Sequence, residues 1–60
     1  MCQASFDRTF LKATQYLKHK NIEFAQEALK FLRRYSDDLP QNIKLIIQIE
    51  NGIQELSWKK

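Results

Sequence analysis

The sequence predicts an all-α fold, a small three-helix bundle made of an antiparallel helical hairpin and a third helix. Two patterns and one shortage predict it. Residues 22–35, wound at about 100° per residue, divide into an apolar half and a polar half. Phe6, Phe10, Ala13 and Leu17 recur at spacings of 4, 3 and 4, a single helical seam. The 60 residues hold one glycine and one proline, so there are few places for the chain to break. The alternative is an α+β fold, in which the helical hairpin carries a C-terminal β-hairpin turning at Asn51-Gly52.

The first helix is predicted from about Ser5 to Lys18. Ser5 is placed to cap it, because a hydroxyl accepts one of the free N–H groups of the first turn. Asp7 suits the positive N-terminal end, and Lys18, His19 and Lys20 suit the negative C-terminal end. Leu11 and Tyr16 flank the seam. The second helix follows Asn21, a favoured cap residue. Its apolar half comprises Ile22, Phe24, Ala25, Ala28, Leu29, Phe31, Leu32 and Tyr35, and its polar half Glu23, Gln26, Glu27, Lys30, Arg33 and Arg34. A stripe of about 180° exceeds the roughly 100° that one buried face requires, which implies a helix lying against two partners. Along the polar half, acids come first and bases last, the order the helix dipole favours. Lys30 stands at i+3 from Glu27, a pair worth roughly 0.2–0.5 kcal/mol. The short connection at 19–21 implies an antiparallel hairpin.

Ser36-Asp37-Asp38-Leu39-Pro40 interrupts the pattern. Proline is excluded from helix interiors but fits a first turn, and Asp38 with Gln41 has the spacing of a capping box. A third helix is therefore expected from residue 39 or 40. Within 43–59 both periods can be read. As a helix, Leu45, Ile46, Ile49, Ile53 and Leu56 share a face, Ile43, Ile47 and Trp58 lie on another, and Gly52 costs about 1 kcal/mol relative to alanine. As a hairpin, Asn51-Gly52 is a strong turn signal and the alternation is good. The helical reading is preferred, because the start signal leads into the segment and an isolated two-stranded hairpin is marginal. The predicted core is Phe6, Phe10, Ala13, Leu17, Phe24, Ala25, Ala28, Leu29, Phe31, Leu32, Ile46, Ile49, Ile53 and Leu56.

Composition bounds the function. Residues 1–60 read as one small helical domain, which buries only about 60% of its unfolded surface and is marginal alone. Cys2 is the only cysteine, so no disulfide can close within one chain, and it reads as an ordinary thiol. Cys2 and His19 are too few soft ligands for a structural zinc site, so no metal or cofactor is expected. There is no continuous apolar run of secretory or membrane-spanning type and no lipidation motif, so the expected location is cytoplasmic. The net charge of +3 is a mild excess, short of the dense basic surface of a nucleic-acid binder.

Catalytic signatures are absent. One glycine excludes a phosphate-cradling loop, and HExxH, CxxC and GxSxG do not occur. Asp37 and Asp38 are adjacent carboxylates in a turn, His19 stands at a helix end, and no small-molecule substrate is implied. The expectation is a non-enzymatic protein-interaction or oligomerisation module, regulatory or adaptor in role. Ile43, Ile47 and Trp58 are its interface, taking either a second copy as a homodimer or a larger protein. The alternative is a small dimeric nucleic-acid-associated regulator contacting phosphates through Lys30, Arg33 and Arg34. The Ile-rich third element is a poor reader of base edges.

Ala13, Tyr16 and Ala25 stand at spacings that resemble the small–aromatic–small positions of a tetratricopeptide helical hairpin, and residues 6–39 are about one such repeat long. The resemblance implies hairpin geometry for the first two helices. Thr9 and Lys12 stand where that family has large apolar residues, Leu32 where it has a small one, and Pro40 falls a few residues late. Only one unit is present, where such arrays need about three, so no family is assigned.

Overall fold

The computed structural model describes residues 3–58, which form three helices: α1 (Gln3–Lys18), α2 (Ile22–Arg34) and α3 (Pro40–Trp58). Cys2 lies outside the described residues, as do Met1, Lys59 and Lys60. Of the segment that admitted two readings, residues 43–58 are helical, with Asn51 and Gly52 inside α3. The principal extents are 35 × 17 × 14 Å, and α3 alone runs about 28 Å at 1.5 Å per residue.

The connections explain how the helices fold back. At the end of α1, the Asn21 N–H donates to the Tyr16 carbonyl at 2.7 Å and the Lys20 N–H to the Leu17 carbonyl at 3.0 Å. This is the six-to-one and five-to-two pairing of a Schellman motif, with Lys20 at the left-handed position (φ 59°) where glycine is usual. His19 and Lys20 therefore lie beyond the helix rather than in its last turn. The Asn21 side chain then accepts the Phe24 N–H at 3.4 Å and caps α2, as predicted. The second connection also uses left-handed backbone without glycine. Asp37 and Asp38 both have φ 55°, and the Leu39 N–H donates to the Ser36 carbonyl at 3.2 Å, closing a tight turn. Aspartate tolerates that region better than most side chains.

Two cap assignments change. Ser5 lies inside α1, which is already helical at Gln3, and its carbonyl accepts the Thr9 hydroxyl at 2.9 Å. The cap expected at Asp38 falls instead on the next residue. The Leu39 carbonyl receives the Asn42 and Ile43 N–H groups at 3.0 Å, so Leu39 is the cap and Pro40 the first helical residue. Asp38, held in the turn, instead donates its N–H to the Ser36 hydroxyl at 3.3 Å.

Contacts between the helices set the order of the bundle. The Tyr16 and Phe24 rings meet edge-on at 5.4 Å, pairing the end of α1 with the start of α2. Gln3 meets Asn42, and Leu17 faces Gly52, so α1 and α3 run parallel. Arg33 pairs with Glu50 across α2 and α3. The result is the predicted up-down-up bundle, with all three helices in mutual contact. The wide stripe of α2 does touch two partners. Ala25, Ala28, Leu29 and Leu32 are buried with Phe6 and Ala13 of α1 and Ile46, Ile49 and Ile53 of α3. Phe10, Leu17 and Leu45 pack half-buried against this core.

The aromatic fringe of that stripe is not core. Phe24 is 55% exposed, against expectation, and Phe31 and Leu56 are only half-buried. Phe24, Phe31 and Tyr35 lie within about 40° of one another around α2, to one side of the buried arc. Phe24 and Phe31 border α1 along an open groove rather than filling the space between helices.

Gly52 owes its place to packing. A Cβ built there would stand 2.6 Å from Leu17 Cδ1, inside contact distance. The missing side chain lets Leu17 seat against the α3 backbone. The Asn51-Gly52 pair therefore serves helix packing, and the turn that the dipeptide favours in isolation does not form.

Candidate functional site: the outer face of α3

α3 has apolar residues on two opposed faces. Asn42, Ile46, Ile49 and Ile53 follow at spacings of 4, 3 and 4 and are buried. Centred about 130° away, Ile43, Ile47, Asn51, Gln54 and Trp58 fall within an arc of about 80°. Ile43 is 40% exposed, Ile47 48% and Trp58 80%. The three residues predicted as an interface thus come together on one helix face, and the indole of Trp58 lies open at its end.

The strip carries no charge. Its polar members are the carboxamides of Asn51 and Gln54, which with Glu55 and Trp58 line a shallow surface groove. Charges stand only at its margins, Lys44 and Glu55 on one side and Glu50 on the other. Glu50 is held by Arg33 of α2, which fixes that margin.

The basic cluster at the end of α2 is engaged locally. Arg33 pairs with Glu50, Lys30 lies 3.8 Å from Glu27 as predicted, and the Arg34 guanidinium sits 5.7 Å from the centre of the Tyr35 ring. Lys30 and Glu27 are both largely solvated, so that pair adds at most a few tenths of a kcal/mol. The three cations point to different partners instead of forming one stripe with Lys18 and Lys20 at the far end of the hairpin.

A second surface groove, open between α1 and α2, takes in three residues expected as core, Phe24, Ala28 and Phe31. Thr9, Lys12, Tyr16 and Glu27 complete its lining. Leu11, at 62% exposure, is a separate exposed apolar side chain.

Sequence reasoning missed one buried polar centre. Asn42 is 1% exposed. Its Nδ2 donates to the Ser36 carbonyl at 3.0 Å and to Gln3 Oε1 at 3.2 Å, while Gln3 Nε2 donates back to Asn42 Oδ1 at 2.7 Å. Gln3 also donates to Asp7 at 3.1 Å. This reciprocal amide pair ties the first turns of α1 and α3 to the α2–α3 turn. Extending the buried seam of α3 one turn towards the N-terminus finds Asn42, a polar residue in an apolar register.

No group of three or more His, Cys, Asp or Glu residues able to hold a metal occurs among the described residues. No helix among them is long and apolar enough to cross a membrane. No protein family, curated protein or solved structure matches the chain.

Proposed function

We propose that this chain is a small non-enzymatic interaction module whose docking face is the outer strip of α3. The observation that carries the reading is the charge-free arc of Ile43, Ile47 and Trp58, left uncovered by a bundle that buries the opposite face of the same helix. Contiguous exposed apolar residues mark contact surfaces, and tryptophan is enriched among residues that dominate binding energy. The role is regulatory or adaptor-like, through a homo-oligomer or a larger protein. Nucleic-acid binding draws less support, since Lys30, Arg33 and Arg34 each face a separate neighbouring group: Glu27, Glu50 and the Tyr35 ring.

The test is recovery of partners from source-cell extract by the tagged full chain and by Ile47→Asp, with circular dichroism confirming equal helix content. The expected result is a specific partner, a second copy included, retained by the parent and lost by the variant. Equal recovery by both, or none by either, overturns the reading. A duplex DNA titration at two salt concentrations addresses the weaker alternative. Phosphate contacts would give binding that falls steeply with salt, and none is expected.

A further inference from the structure

The outer strip of α3 has an internal symmetry. Ile47, Asn51, Gln54 and Trp58 follow at spacings of 4, 3 and 4, the heptad seam of a two-helix contact. All four are exposed. In order they read apolar, carboxamide, carboxamide, apolar, and the same order returns when the strip is read backwards.

We propose that this strip pairs antiparallel with α3 of a second copy, about a two-fold axis passing between Asn51 and Gln54; the proposal rests on the reading of α3 as the docking face. In this register Ile47 meets Trp58 of the second copy at both ends of the contact. Ile43, one turn before Ile47, extends the apolar bed on which that indole lies. At the centre, Asn51 faces Gln54 of the second copy twice over. A carboxamide offers both a donor and an acceptor, so each central pair closes reciprocal hydrogen bonds. The Gln3–Asn42 pair within the bundle has this same chemistry. Polar residues at seam positions lower stability but fix register and orientation, so the dimer is weak and specific.

Charge selects the orientation. Parallel, in-register pairing would set Lys44 of each copy opposite the other on the seam, and Glu50 beside Glu55 of the second copy. Both contacts join like charges. Antiparallel pairing places Glu50 beside Ser57 and Gln48 beside Glu55. The isologous contact closes at two chains, as a two-fold interface does.

The experiment uses the full chain with Cys2→Ser, carrying either Asn51→Cys or Gln54→Cys. The two variants are mixed in a glutathione buffer. Antiparallel pairing predicts that the mixed 51–54 disulfide exceeds the statistical two-to-one excess over each homodimer by several-fold. Dominant 51–51 or 54–54 disulfides overturn the antiparallel register while leaving α3 as the docking face. Sedimentation of the unmodified chain supplies a reading free of substitutions at the contact. Concentration-dependent dimer, reduced at least tenfold in affinity by Ile47→Asp, supports self-pairing. A 7.2 kDa monomer at millimolar concentration overturns it. Loss of a different partner by Ile47→Asp in the extract experiment would then sustain the docking reading alone.

Discussion

The two faces of α3 are built from the same kind of residue and meet opposite fates. Ile46 and Ile47 are neighbours in sequence, yet Ile46 is 8% exposed and Ile47 48%. A turn earlier the contrast reverses in kind: polar Asn42 is buried while apolar Ile43 remains in water. Phase around the helix, set by where α1 and α2 lie, decides which residue goes inside. Hydrophobicity does not decide it alone. A polar group can occupy the inner face because every one of its hydrogen-bonding atoms there finds a partner, and an isoleucine can stay outside because neither α1 nor α2 covers it.

The sharpest way to break this comparison is to truncate both faces. Ile49→Ala removes a side chain that is 1% exposed and should cost about 2–5 kcal/mol, enough to unfold much of so small a domain. Ile47→Ala should change monomer stability by no more than about 0.5 kcal/mol. Urea denaturation at low concentration, where the chain is monomeric, measures both, and similar costs would mean that the two faces are not distinct. Asn42→Ala comes next. It leaves the Ser36 carbonyl and the Gln3 amide without their buried partner and should cost about 1–3 kcal/mol, whereas a neutral result would mean that water replaces the amide at no cost.

Gly52→Ala is the smallest effect and the most diagnostic of packing. Alanine gains about 1 kcal/mol of helix propensity. Its Cβ forces Leu17 aside, at about 0.5–1.5 kcal/mol for an off-rotamer side chain. The net change should lie within about 0.5 kcal/mol of zero. Leu17→Ala should then cost less in the Gly52→Ala background than in the parent, a coupling that a double-mutant cycle measures directly.

Much of the fold was legible in residue order. The seam of Phe6, Phe10, Ala13 and Leu17, the split face of 22–35, the Asn21 cap and the placement of Pro40 all persist in three dimensions. The outer strip of α3 was legible as well, because once the seam of Ile46, Ile49 and Ile53 is buried, Ile43, Ile47 and Trp58 must face elsewhere. What was hidden depends on contacts between distant residues. Phe24 belongs to the apolar half of α2 by angle, but only the position of α1 shows that it lies at the rim. Gly52 reads locally as a turn residue, and only Leu17 explains it. Lys20, Asp37 and Asp38 adopt left-handed backbone that local sequence assigns to glycine, because closing the two short connections overrides the preference of a single residue.

The Gln3–Asn42 clasp joins residues 39 positions apart, and that separation bears on the order in which the molecule assembles. α1 and α2 can pair through a three-residue connection as soon as both exist, since local closures are fast and lose little chain entropy. The clasp must wait for the first turn of α3. Until then the inner side of the hairpin, Ala25 and Leu32 included, has no cover. The clasp thus closes at the same end of the bundle where α3 begins to cover the inner side of the hairpin.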